Sequence, residues 1–181
     1  MSPLPPTPGQ TIGPFYGFAL PYPRGHELVP PAHPAAIRLH GTVFDGAGVP
    51  VPDALLEIRQ AGADGVVPAV EGSLRRDGTR FTGWGRAATD PGGRYSFTTV
   101  EPGPTTPGRP PFFAVAVFAR GLLDRLFTRA YVPGPGAGDD PLTAGLVAER
   151  DAHGDLRFDI HLQGPRQTTF LTFARPAADP A

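Results

Sequence analysis

Glycine (24) and proline (25) make up more than a quarter of the 181 residues, and they fall between short runs of alternating apolar and polar residues. Glycine accepts the backbone conformations of tight turns, and proline has no amide hydrogen to give to a helix or to the interior of a sheet. A share this large would otherwise suggest disorder. Placed as punctuation between apolar runs, it reads as the turns of an all-β protein.

The runs follow one another from Ile37 onward. Ile37 to Asp45 alternates in part, Gly46-Ala47-Gly48 reads as a turn, and Ala54 to Gln60 is a strand with Leu56 and Ile58 on one face. Ala61 to Thr82 has no clear period and reads as a long loop. Gly83–Thr89 and Arg94–Thr98 flank Asp90-Pro91-Gly92-Gly93, a strong hairpin signal. Phe112 to Ala119 is continuously apolar, as a buried strand would be, and Leu126 to Val132 is a further strand. Asp140-Pro141 can cap a short helix running to about Arg150. Leu156 to Gln163 alternates again, and Thr168 to Phe173 is a last apolar stretch. Seven or so short strands at near-regular spacing predict a β-sandwich over residues 37–181. Residues 1–36 form an extended N-terminal arm. It carries Ile12, Phe15, Tyr16, Phe18 and Leu28 without a core of its own, so these groups must cover the domain or a partner.

Charge and composition exclude several classes. The formal net charge is −1, and all sixteen basic residues are scattered arginines, which gives no nucleic-acid footprint. Without cysteine there is no disulfide frame and no thiolate chemistry. The Pro-rich start does not read as a signal peptide, no apolar run approaches the length of a membrane span, and a cytoplasmic protein is the default expectation. The five histidines (His26, His33, His40, His153, His161) include no pair at metal-binding spacing on a strand or helix.

The stretch from Gly83 to Pro104, with Thr89-Asp90-Pro91-Gly92-Gly93-Arg94-Tyr95-Ser96-Phe97 and the exit Pro102-Gly103-Pro104, resembles the core of the intradiol ring-cleavage dioxygenases. Gly41-Thr42-Val43-Phe44-Asp45 and Gly48 to Ala54 look like the opening of the same sandwich, a weaker signal. Gln10 to Tyr16 and Val117 to Leu122 narrow the resemblance to the α chains of the protocatechuate-cleaving branch, and it covers roughly Gly9 to Phe173.

The resemblance implies a ferric ion held by two tyrosinates and two histidines, which binds a catecholate and activates it toward O2 so that the ring opens between the hydroxyls. Hard phenolates suit Fe(III). In catalytic chains one tyrosine follows Pro-Gly-Pro; here that place is Thr105. The histidines lie in an R-P-x-H-x-H segment; here Phe112 and Ala114 stand at those positions. The remaining tyrosine belongs to the segment 61–82, which contains none. All four ligands are absent. The resemblance therefore implies a chain without metal, paired with a homologous catalytic β subunit that binds the Fe(III), the two sharing a pocket for protocatechuate.

Arg129 is the leading candidate for substrate binding. It is the only charged residue between Leu126 and Gly134, and a guanidinium matches a carboxylate with two parallel hydrogen bonds. Taken alone it reads as a surface arginine beside a sheet edge; the resemblance makes it a cation facing the partner's active site. Thr11, Gly13 and Pro14 taken alone read as a flexible arm, and the resemblance implies that they line the adjoining pocket, with Tyr16 as a ring wall or hydroxyl. Asp139-Asp140 reads as a loop ending in a helix cap, and His161 as a strand histidine on the face of Asp159. Two other classes stay open at this point. A transthyretin-like or adhesin-type sandwich module would explain Gly41 to Ala54 but neither the Pro-Gly-Pro exit nor the arm. A free-standing enzyme with another metal, or none, is the other.

Overall fold

The computed structural model describes residues 16–70 and 80–173. In chain order the elements are the single-turn helix α1 (Tyr16–Ala19) and the strands β1 (Ile37–Phe44), β2 (Leu55–Arg59), β3 (Trp84–Ala88), β4 (Arg94–Thr99), β5 (Phe112–Phe118), β6 (Leu126–Tyr131), β7 (Glu149–Arg150), β8 (Leu156–Arg157) and β9 (Ile160–His161). One sheet has the order β4-β1-β8-β7, with β9 also on β1; the other runs β3-β2-β5-β6. The second sheet is antiparallel throughout, whereas β8 and β9 run parallel to β1.

The inward residues of the two sheets form one core. Leu39, Val43, Tyr95, Phe97, Leu156 and Ile160 come from the first; Leu56, Ile58, Ala87, Phe113, Val115 and Val117 come from the second. Each large side chain removed from water contributes about 1.5–3 kcal/mol. The buried Gln60, just after β2, ties the layers together: its Nε2 donates to the Val100 carbonyl at 2.9 Å, and its Oε1 accepts from the Thr99 hydroxyl of β4. Between β3 and β4, Asp90 Oδ1 accepts the amides of Gly92 (2.8 Å) and Arg94 (2.9 Å), and Gly93 takes the positive φ of +71° that closes the turn.

Two expectations need correction. Leu156–Gln163 is not one strand but two, β8 and β9, with Phe158 and Asp159 between them. The reason lies opposite, at Gly41 of β1. A Cβ there would stand 2.0 Å from the Phe158 carbonyl oxygen, so only glycine lets the chain come this close. The Tyr95 hydroxyl donates to that same carbonyl, and Asp159 Oδ1 accepts the Thr42 amide at 2.9 Å. Removing the hydroxyl in Tyr95→Phe leaves the buried carbonyl short of a partner. The variant is expected to lose about 1–3 kcal/mol of stability, read as a lower urea midpoint at unchanged m-value.

The helix expected over 140–150 is only a 3-10 turn at Ala144–Leu146. Asp140 Oδ1 does accept the Leu142 amide at 2.9 Å, but Leu146 then drops into the core, and Val147–Ala148 pair with the Tyr131 backbone, which forces extended chain. Residues 168–173 form no strand. They lie along β6, with Leu171 donating to the Phe127 carbonyl at 2.7 Å and Thr128 Oγ1 to the Thr169 carbonyl at 2.8 Å.

The described part of the arm is bound to the sandwich. Thr98 of the edge strand β4 donates to the His26 carbonyl and accepts the Leu28 amide, while the Arg86 amide of β3 donates to the Gly25 carbonyl. Leu28 enters the core. These residues occupy backbone groups that edge strands otherwise leave open. Arg86 also holds Leu20, its Nη1 donating to the carbonyl at 2.6 Å, and the Tyr22 ring stacks on Trp84 at 6.1 Å between centroids. The side chains of Ile12, Phe15 and Phe18 lie outside the described residues.

Candidate functional site

β5 is continuously apolar, but its burial alternates. Phe113, Val115 and Val117 point into the core, and Phe112, Ala114 and Ala116 point outward, half-buried. Register then decides what surrounds them. Ala114 lies opposite Arg59 on β2 and opposite Arg129 on β6; Ala116 lies opposite Glu57 and Phe127; Arg59 in turn lies opposite Trp84. The outward face forms a groove of about 300 Å³ with the two alanines on its floor and Trp84, Phe112, Phe127, Leu171 and Phe173 among its walls.

Arg129 sits within this groove. Its guanidinium carbon lies 4.1 Å from the centroid of the Phe112 ring, close enough for a cation–π contact, and its Nη1 donates to the Tyr131 hydroxyl at 3.2 Å. None of the ion pairs among the described residues includes Arg129 or Arg59. Glu57, the one acid lining the groove among the described residues, is taken by Arg86, whose Nε donates to Oε1 at 2.9 Å. Arg59 donates from Nη2 to the Pro68 carbonyl at 2.8 Å.

The same groove contains the two positions that the resemblance assigns to histidine ligands. The benzyl group of Phe112 and the methyl group of Ala114 offer no donor to a ferric ion. Thr105, at the place of the first tyrosine, is exposed, and Pro102-Gly103-Pro104 packs on the turn after β2: Gly103 donates to the Gly62 carbonyl at 2.8 Å, and a Cβ on Gly103 would stand 2.4 Å from the Ala63 carbonyl oxygen. Among the described residues no group of three or more His, Asp or Glu could hold a metal. Tyr95 is fully enclosed and burial pushes its phenol well up, so it stays protonated. Tyr131 takes the hydrogen bond from Arg129. His161 stacks on Phe44 at 4.9 Å, and burial, followed by the charge of Arg166, lowers its pKa. The residues present do not fit the family's iron.

Thr11, Gly13 and Pro14 lie outside the described residues. Tyr16 is buried in α1, and its hydroxyl donates to the Asp53 carbonyl in the β1–β2 connection. Burial, with the nearby Asp53 charge, raises its pKa, so it anchors the arm as a neutral phenol. It does not line the Arg129 groove. Sequence reasoning missed Arg59 as a groove residue and left Trp84 unplaced. The alternation Glu57, Arg59 against Leu56, Ile58 was the available signal, but it needed the register with β5 to acquire meaning.

Residues 30–115 match the family model described as Dioxygenase. The chain is 35% identical to the protocatechuate 3,4-dioxygenase alpha chain of Burkholderia cepacia, over 94% of this chain and 99% of that one. It is 36% identical to the beta chain from the same organism over 60% of this chain and 47% of that one. Among solved structures it resembles the dioxygenase domain of a dioxygenase–carbohydrate-binding fusion from Streptomyces sp. SirexAA-E, with a TM-score of 0.60, 29% identity, and coverage of 88% of this chain and 99% of that domain. No helix among the described residues is long and apolar enough to cross a membrane. Identity at this level over almost the full length of both chains shows that the protein belongs to the intradiol dioxygenases, among the protocatechuate 3,4-dioxygenase alpha chains.

Proposed function

We propose that this chain is the non-iron-binding α subunit of a heteromeric protocatechuate 3,4-dioxygenase. The enzyme cleaves 3,4-dihydroxybenzoate with O2 to 3-carboxy-cis,cis-muconate, and the Fe(III) belongs to a homologous β chain. The observation that carries this reading is the outward face of β5, where Phe112 and Ala114 replace donors and the Arg129 guanidinium lies over the Phe112 ring. A site of this kind cannot bind or activate the catecholate through a metal. It can hold an anion beside an apolar wall.

This chain's part in the reaction is therefore to bind and orient. Arg129 meets the substrate carboxylate at the shared pocket, and the apolar walls keep water away, which strengthens the charge interaction. Thr11, Gly13 and Pro14, which precede the Tyr16 anchor, reach the pocket of the β chain. Gly13 allows close backbone approach and Pro14 limits its freedom. The arm, residues 1–36, is an attachment to the sandwich and to the partner rather than a folding unit.

Coexpression with a homologous chain that carries the tyrosine and histidine ligands tests the reading. The two chains should copurify in a fixed ratio, and ring cleavage of protocatechuate should require both. Full activity of the ligand-bearing chain alone would contradict the proposal. Deleting residues 1–20 should weaken assembly or substrate binding while the remaining chain stays folded, since Leu28 in the core and the Tyr22–Trp84 stack survive the cut. Normal assembly and turnover after that deletion would reduce the arm to a tail.

A further inference from the structure

We infer that Arg59 is a second substrate-directing cation, and that Arg59 and Arg129 together form a clamp for the carboxylate of an aromatic acid. The inference rests on the pocket reading above and adds a residue and a geometry to it. Both arginines are paired in register with Ala114, one from each neighbouring strand. Adjacent strands lie about 4.8 Å apart, so the two backbones stand roughly 10 Å apart across the groove. The alanine between them leaves the floor open, and both side chains line the same cavity.

Charge balance points the same way. Two arginines line this cavity, and the one acid that lines it among the described residues, Glu57, is already engaged by Arg86. Two cations on one apolar face raise each other's energy, and an anion placed between them relieves this. The surroundings specify which anion. The floor is methyl groups and the walls are the rings of Trp84, Phe112 and Phe127. Such a surface accepts a flat ring and rejects a strongly hydrated ion such as phosphate. Among the described residues Arg59 commits one nitrogen to the Pro68 carbonyl, which restrains the guanidinium and leaves further donors for a ligand. A solvated strand-end arginine would need no partner arginine across the strand and no alanine between.

The test uses the assembled enzyme and the ratio of KM for protocatechuate to KM for catechol, the same diol without a carboxylate. Arg59→Gln should raise this ratio about tenfold, a charge-assisted hydrogen bond at a half-open site. Arg59→Lys should recover part of the loss, and the double variant with Arg129→Ala should be worse than either single variant. If Arg59→Gln leaves the ratio unchanged while Arg129→Ala raises it, the clamp is wrong and the single-cation reading stands. If Arg129→Ala also leaves it unchanged, the pocket assignment fails first and the clamp with it. A rise in both KM values by the same factor assigns Arg59 to holding the Pro68 loop, which overturns the inference.

Discussion

Arg129→Ala is expected to raise KM for protocatechuate in the assembled enzyme by about one to two orders of magnitude, and to affect catechol far less. The argument starts from desolvation. A carboxylate entering an apolar groove gives up its water, and that cost is offset only by a cation already in place. Arg129 meets the requirement: it is half-buried, lies outside every ion pair among the described residues, and is steadied by the Phe112 ring and the Tyr131 hydroxyl. A guanidinium also keeps its charge at any working pH. Arg129→Lys should restore only part of the affinity, because an ammonium keeps the charge and loses the planar fork. Equal changes for the acid and for catechol would mean that Arg129 holds the β5–β6 surface together rather than the substrate.

Much of this fold could be read from short-range chemistry. The hairpin at Asp90-Pro91-Gly92-Gly93 declared itself because turn residues act through their own backbone: Asp90 caps two amides and Gly93 supplies the positive φ. β1 and β2 were legible from alternation in the same way. What could not be read depended on contacts between distant segments. Leu156–Gln163 has the alternation of one strand, and only the approach of Phe158 to Gly41 breaks it. Asp140 carries the signal of a helix start, yet burial of Leu146 and pairing of Ala148 with Tyr131 override local propensity. The apolar run of β5 gave its identity as a strand but not its two faces.

The site divides along the same line. Arg129 was legible as a lone charge in an apolar strand, and the missing ligands were legible from residue identity at Thr105, Phe112 and Ala114. Arg59 was not, because its meaning comes from register: Ala114 sets it across from Arg129, and nothing in Leu55–Arg59 announces that partner. The hydroxyl of Tyr16 donates to the Asp53 carbonyl, a long-range bond between the arm and the β1–β2 connection that no local pattern around Tyr16 announces.

The central claim is that this chain has the fold of a metalloenzyme and none of its metal chemistry. A ferric site in this family needs oxygen and imidazole donors, and at the ligand positions β5 offers a benzyl group and a methyl group, with the guanidinium of Arg129 beside them on β6. Placing a trivalent ion beside an arginine that no acid among the described residues pairs would also set like charges against one another. The most direct measurement is metal analysis with a visible absorption spectrum, made on the purified chain and on its complex with the homologous ligand-bearing chain. The account predicts no ferric iron and no tyrosinate band in the chain alone, with both present in the complex in proportion to the partner. Stoichiometric iron with a tyrosinate band in the isolated chain would contradict it.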